Sequence, residues 1–263
     1  MAQDMKIYSW NMFFRNRERE RAFEFIAQSD FDIFCLQEVP EDFLARLKTL
    51  PFPVVAAPET DRLFKKERAT HYGVILSRYP LRASGVIPLS HHESDLPLRG
   101  RMFRQFMFAA RLWAKALGNR HALYADVETP SGTIRVFNLH LPLLTPALRE
   151  EEFDYALSHA DPSQPILVCG DFNILEAPHI TPLNWLFGGR LADAVFHRRE
   201  RARIEERFAS HALQNALRGT VTHSLARSQL DHILASRTLR VLHASVIGDR
   251  IGSDHNPIYA ELS

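Results

Sequence analysis

Short apolar runs in this chain repeatedly stop at a residue that can bind a metal or move a proton. Asn11 ends the run from Ile7 to Trp10, and Glu38 follows Leu36-Gln37. His140 sits near the end of Ile134 to Leu141, and Asp171 and Asn173 follow Val168-Cys169-Gly170. Asp231 and His232 interrupt Leu230 to Ala235, and Ser253-Asp254-His255-Asn256-Pro257 precedes the run from Ile258 to Leu262. If these runs are strands packed side by side, their ends converge on one rim. Carboxylates, amides and imidazoles gathered there form an oxygen-rich site suited to Mg²⁺, with Mn²⁺ as a substitute.

Each residue alone has a plainer explanation. An Asn or Asp at a strand end is commonly a turn former, and a Glu is commonly a solvated charge. Gly170-Asp171-Phe172-Asn173 resists that explanation, because residues at i and i+2 of an extended chain project to the same side and can reach one ion. Ser253-Asp254-His255 likewise sets an anion beside an imidazole.

The pattern between these points alternates strand and helix. Strands are expected at Ile7 to Met12, Asp32 to Leu36, Val74 to Ser77, Tyr124 to Val127, Ile134 to Leu141, Pro165 to Gly170, Leu230 to Ala235, Leu239 to Ile247 and Ile258 to Leu262. Pro130-Ser131-Gly132 reads as a hairpin turn. Helices are expected over Arg17 to Gln28, Glu41 to Thr49 and Pro146 to His159, and over most of Leu183 to Leu217 with a break at Gly188-Gly189. Two mixed sheets packed face to face, with helices outside, accommodate this order. No repeat or low-complexity linker divides the 263 residues, so one domain spanning 1–263 is expected.

Composition narrows the class. At 46% hydrophobic and 24% charged, the chain is too apolar to be disordered. Lys and Arg number 32 against 31 Asp and Glu, a net charge of +1, so electrostatic preference must come from local patches. Cys35 and Cys169 lie in apolar runs and read as buried reduced thiols. No run approaches a membrane span and the first residues lack the apolar segment of a secretion signal, so a cytoplasmic location is expected.

Seven motifs in order carry a family resemblance. They are Trp10-Asn11, Leu36-Gln37-Glu38-Val39, Tyr72 to Pro80, Asn138-Leu139-His140-Leu141, Gly170-Asp171-Phe172-Asn173, Leu230 to Leu234 and Ser253 to Pro257. The chain resembles the endonuclease/exonuclease/phosphatase superfamily over nearly its whole length. The resemblance implies a four-layer α/β sandwich and metal-dependent hydrolysis of a phosphoester. It also supports Glu38 as a direct metal ligand; Asn11 supplies an amide beside the same ion, and Asp254 is a further ligand candidate for this metal or for a second one. His255 is the proton-transfer and phosphate-contact candidate. The resemblance implies that Asp231 pairs with it, as a carboxylate that fixes the ring tautomer. Asp171 would position or deprotonate the attacking water, and Asn173 would bind a non-bridging phosphate oxygen. His140 stands where nuclease members carry a second catalytic His. His232 departs from the family pattern, standing where many members have an aromatic residue.

The substrate is less determined. Arg99 to Arg120 carries Arg99, Arg101, Arg104, Arg111, Lys115 and Arg120 with no acid, interleaved with apolar residues that include Phe103, Phe106 and Trp113. It reads as an inserted cationic helix over 99–120. It could dock on the domain, grip nucleic acid, or dip into an anionic lipid surface. The run from His197 to Arg207 reads as a solvated helix face. A nuclease is the leading expectation. A hydrolase of phospholipid, small phosphorylated metabolites or inositol phosphates comes next, and a binding module without turnover is third. Nothing in the sequence calls for an obligate protein partner.

Overall fold

Two strands of continuous burial set the frame. β1 (Met5–Asn11) and β2 (Ile33–Pro40) run parallel, linked by α1 (Arg19–Gln28). Every residue of β2 is buried, as the unbroken apolar run requires when both sheet faces are covered. The protein is described by a computed structural model at residues 4–64, 67–89, 96–110, 115–116 and 120–263.

The first sheet adds α2 (Glu41–Leu47), β3 (Val54–Phe64) and β4 (Glu67–Ser77). The second begins with β5 (Leu81–Leu89); after α3 (Leu98–Ala109) the two-residue β6 (Lys115–Ala116) returns to the first sheet, and β7 (Arg120–Thr129) and β8 (Gly132–His140) continue the second. Then come α4 (Pro146–Leu157), β9 (Ile166–Asp171), α5 (Pro182–Leu186), α6 (Leu191–Val195) and α7 (Arg199–Ser210). The chain ends with β10 (Leu213–Asn215), β11 (Asp231–Ser236), β12 (Val241–Val246) and β13 (Ile258–Leu262). One sheet has seven strands in the order β12-β13-β1-β2-β4-β3-β6, and the other has six in the order β10-β11-β9-β8-β7-β5. Both are mixed, with β1·β2 and β8·β9 parallel.

Period-2 alternation sorts side chains into the layers. Ile33 and Cys35 of β2 face the core between the sheets with Val136, Cys169 and Ile233. Phe34 and Leu36 point the other way, to a core that includes Ile26 of α1 and Phe43 of α2. On the second sheet, Phe137 and Val168 pack outward with Phe153 of α4 and Phe208 of α7. The result is the four-layer α/β sandwich. Each large side chain so buried contributes about 1.5–3 kcal/mol. Cys35 and Cys169 are free buried thiols in the inter-sheet core.

Several elements differ from the sequence expectation. β3 and β5 are strands outside that expectation: β3 starts with the apolar Val54 to Ala57, alternating between the two cores, and continues with Glu59, Asp61 and Arg62, and most of β5 is half-buried or exposed. The span 183–217 is three helices and a short strand. α7 is solvated on one face only: Arg199, Ala202 and Glu206 are exposed and Arg201 pairs with Glu205, but Glu200 is buried against the fully buried Arg149 of α4, with Nε–Oε1 2.6 Å and Nη2–Oε2 2.8 Å. The expected helix over 99–120 ends at Ala109, and Lys115–Ala116 instead pairs with Arg62 and Leu63 of β3, satisfying part of an otherwise open strand edge. Arg111, Leu112, Trp113 and Leu117 lie outside the described residues. α3 is tied to the body by Arg99, which donates to the carbonyls of Trp185 and Gly189 at 2.8 Å, and by the Phe103–Phe187 ring contact. Among the described residues no helix is long and apolar enough to cross a membrane.

One glycine links fold to site. Gly170 has φ +144°, and a Cβ there would stand 1.8 Å from the Leu139 carbonyl oxygen of the paired strand. Its bareness lets β9 close on β8, so that His140 and Asp171 become register partners. Gly170→Ala is expected to lower unfolding free energy by roughly 2 kcal/mol or more, from backbone strain plus overlap. Urea denaturation checks this, and an unchanged midpoint would contradict it.

Candidate active site

Strand register does most of the assembly. Asp171 ends β9 and pairs with His140 of β8 on one side and Asp231 of β11 on the other. From the first sheet, Asn11 ends β1 and its Nδ2 donates to Asp171 Oδ2 at 3.0 Å. The turn before β13 is drawn in by Ser253 Oγ, which donates to the Asn11 carbonyl at 2.7 Å and accepts from the His255 N–H at 3.0 Å. His140, Asp171, Asn173, Asp231, His255 and Asn11 are thereby brought together, and all six are buried.

Both imidazoles present Nε2 to one oxygen. His140 Nε2 and His255 Nε2 each lie 3.6 Å from Asp171 Oδ2. Each ring is held at Nδ1 by a second carboxylate. Asp231 holds His255 with both oxygens at 3.0 Å, and Glu59 holds His140. Thr222 donates through Oγ1 to Asp231 at 2.8 Å and accepts the backbone N–H groups of Leu230 and Asp231.

Charge follows this geometry. Burial works against a charged His255, but Asp231 and then Asp171 outweigh it and lift the ring to about 10. Burial likewise opposes a charged His140, and Glu59 overcomes it to raise that ring too. Glu59 is pulled down to about 2, where burial is outweighed by His140 and Arg62. Asp171 moves upward, because its burial exceeds what His255 and His140 return. A carboxylate of raised pKa between two rings whose own pKa values are raised is suited to take a proton and to have one delivered nearby.

Glu38 stands on the outer side of this centre. It has φ +57° at a register shift between Leu36 and Val39, a bulge that turns its carboxyl out of the pleat. Its Oε1 meets Arg62 Nη1 at 2.7 Å, its Oε2 accepts from the Phe14 N–H at 3.3 Å, and its own N–H donates to Glu59 Oε2 at 3.0 Å. Burial would raise Glu38, but Arg62 and His140 win and hold it below its usual value. Asp254 is exposed and clusters with His223 and His255, with ligand atoms within 4.8 Å of one another. Asp171, Asp231 and His255 form a second such group, and Glu38 is in neither. Asn173, at φ +52°, spends one amide hydrogen on the Leu141 carbonyl at 3.0 Å. His232 points away from Asp231, stacked on Phe172 and bonded to Arg201 at 2.8 Å.

The donor set fits a hard divalent cation. Glu38, Glu59, Asp171, Asp231 and Asp254 lie among one guanidinium, Arg62, and three imidazoles, of which burial holds His223 down to about 4, so negative charge is in excess even with the His140 and His255 rings protonated. The donors of Glu38, Asp254 and Asn11 are oxygens of the type Mg²⁺ and Mn²⁺ prefer.

Sequence reasoning did not single out Glu59, Arg62, Thr222 or His223. Glu59 and Arg62 sit in β3 just after the apolar run Val54-Val55-Ala56-Ala57, which the sequence expectation did not include among the strands, and Thr222 and His223 sit in a loop. Pro58-Glu59-Thr60 offered no signal beyond an acid in an extended stretch. Asn138 was read only as part of a motif. In the structure it bridges the sheets, donating to the carbonyls of Leu36 and Val74 and accepting from Gln37 Nε2 at 2.8 Å.

Comparison with known proteins gives the family and the fold. A profile of the Endonuclease/Exonuclease/phosphatase family matches residues 8–255. No curated protein sequence matches the chain. Among solved structures, an endonuclease/exonuclease/phosphatase family protein from Leptotrichia buccalis superposes with a TM-score of 0.68 at 14% identity, over 98% of this chain and 99% of that one. A mannosyl-6-phosphatase from Bacteroides thetaiotaomicron gives 0.64 at 18% identity, over 98% and 99%. D. rerio TDP2 complexed with a single-strand DNA product gives 0.63 at 15% identity, over the full length of both. At these identities the likeness concerns the fold.

The Glu59–His140 pair has a definite pH signature. The stability due to Glu59 is complete above its ordinary value of 4.5 and is lost as pH falls toward about 2. The stability due to His140 is complete below 6.5 and is lost as pH rises through its raised value. The unfolding free-energy difference between wild type and Glu59→Gln is therefore expected to peak between pH 4.5 and 6.5, on the order of 3 kcal/mol, and to shrink on both sides. Urea unfolding across pH measures it, and a difference that grows toward pH 2 would refute the pairing.

Proposed function

We propose that this chain, which belongs to the Endonuclease/Exonuclease/phosphatase family, is a divalent-metal-dependent phosphodiesterase that cleaves nucleic-acid phosphodiester bonds with an activated water. The coarser statement, a phosphoester hydrolase of this family, is the ground on which the reading stands. One observation carries the mechanism: two carboxylate-held imidazoles aim Nε2 at the same oxygen of Asp171.

Phosphodiesters resist hydrolysis because an anionic centre repels its nucleophile, and a bound Mg²⁺ or Mn²⁺ would supply the neutralising charge. Glu38, Asp254 and the Asn11 amide would hold that ion. Asp171 accepts the proton of the attacking water, an assignment supported by its raised pKa and its central position. Asn11 keeps the Asp171 carboxylate oriented. His140, kept charged by Glu59, donates from Nε2 to the leaving oxygen. His255, kept charged by Asp231, donates to a non-bridging oxygen, and Asn173 contributes its remaining amide hydrogen to the same charge. The machinery is proposed to reside in one domain over residues 1–263.

Nucleic acid as the substrate is supported by the Arg-rich segment from Arg99 and by Phe13, Phe14 and Arg15 on the loop after Asn11, where Arg15 lies over both rings. TDP2, complexed with single-strand DNA, shares the fold. A second reading, a phospholipid or small-metabolite hydrolase, is favoured by Leu98, Met102 and Phe106 of α3. These are exposed at four-residue spacing, as on a helix that meets an anionic lipid surface. The mannosyl-6-phosphatase neighbour shares the fold as well.

An activity panel with Mg²⁺ and Mn²⁺ over DNA, RNA, abasic DNA, sphingomyelin, inositol phosphates and mannose 6-phosphate separates these readings. Nucleic acid is expected to be cleaved fastest, and a lipid or sugar phosphate preferred by orders of magnitude would overturn that choice. Asp171→Asn is expected to cost about 10²–10⁴-fold in kcat. His255→Ala and Asp231→Asn should each lower kcat, and the double variant should lose little more than the worse single one. Additive losses would mean the two do not act as a unit.

A further inference from the structure

Arg62 has no part in the mechanism above, yet it touches its metal-ligand candidate. Nη1 lies 2.7 Å from Glu38 Oε1, and Nη2 is 3.9 Å from Glu59 Oε1, beyond hydrogen-bond reach. The side chain is only 17% exposed, so water screens the contact poorly. Its place is fixed by register, opposite Ala69 of β4 and Ala116 of β6. The Phe14 ring lies 5.4 Å from the guanidinium, and the Phe14 N–H is the group that bonds the other Glu38 oxygen. Behind Phe14, the His71 ring packs at 4.7 Å, with a buried Nδ1 that finds no partner among the described residues.

Glu38 therefore has both oxygens engaged, one of them by a full positive charge. A divalent ion drawn to Glu38 and a guanidinium already there repel one another across a partly dry site. A guanidinium is also a planar fork of donors matched to phosphate oxygens, more so than an ammonium. We propose that Arg62 is a phosphate-contacting residue that rests on Glu38: when a divalent ion takes Glu38, the freed N–H donors bind a non-bridging oxygen of the substrate phosphate. The proposal rests on the phosphoester-hydrolase reading. It makes metal and phosphate binding cooperative, since each favours the arrangement in which Arg62 has left Glu38.

The test is Mn²⁺ binding by electron paramagnetic resonance on the full chain, with and without inorganic phosphate, for wild type, Arg62→Gln and Arg62→Lys, alongside KM and kcat for a phosphodiester. For wild type, phosphate should tighten Mn²⁺ binding. Arg62→Gln should bind Mn²⁺ about tenfold more tightly, lose the phosphate effect, and raise KM about tenfold. Arg62→Lys keeps the charge but not the fork, so its Mn²⁺ affinity should stay near wild type while KM rises. Unchanged or weaker Mn²⁺ binding in Arg62→Gln, or a wild-type KM in Arg62→Lys, overturns the proposal. If Arg62→Gln does not fold, the KM of Arg62→Lys decides alone. Failure of the underlying reading looks different: wild type itself would bind no Mn²⁺ and hydrolyse no phosphoester, and both would fall.

Discussion

Asp171 Oδ2 is the atom on which the two halves of the sandwich meet. It accepts from Asn11 of the first sheet and faces His140 of the second and His255 of the turn before β13, while the other oxygen accepts the Asn173 N–H. A carboxylate buried this deeply is costly unless opposite charge and donors surround it. Here the compensation comes from strands far apart in sequence, so the site cannot form before both sheets have packed. The close approach of β9 to β8 at Gly170 is what puts Asp171 within reach of His140.

The same economy explains the outer charges. Each imidazole that faces Asp171 would lose its proton to burial if nothing held it, and Glu59 and Asp231 supply the counter-charge from behind. That arrangement leaves the cluster rich in carboxylate, and the excess falls on the side of Glu38 and Asp254. There Asp254 is exposed, while Glu38 is buried with one oxygen on Arg62 and the other on the Phe14 N–H. Fold stability and catalytic readiness are in tension at these residues, because groups kept charged in a dry place stabilise nothing until they are paired.

Much of this was readable in the chain. The runs ending at Asn11, His140 and Asp171 announce themselves because a fully covered strand needs continuous apolar residues, so the first polar one stands out. The hairpin at Pro130-Ser131-Gly132 was also plain, with Thr129 and Gly132 paired across a two-residue turn. Glu59 and Arg62 went unnoticed because the short run Val54-Val55-Ala56-Ala57, which alternates between the two cores, ends at Pro58 and the rest of β3 is polar. The buried Arg149–Glu200 pair escaped for a related reason: a charge-rich helix looks solvated until its partner helix is known. Periodicity reports burial by apolar neighbours and is silent on burial by opposite charge.

The convergence on Asp171 is tested most directly by ¹⁵N NMR of the histidine rings in the metal-free protein, titrated in wild type and in Asp171→Asn. His255 should carry two ring protons at pH 7, and the variant should lower the titration midpoints of His140 and His255 together. A His255 ring neutral at pH 7, or a midpoint in either ring unmoved by the substitution, would contradict a shared centre.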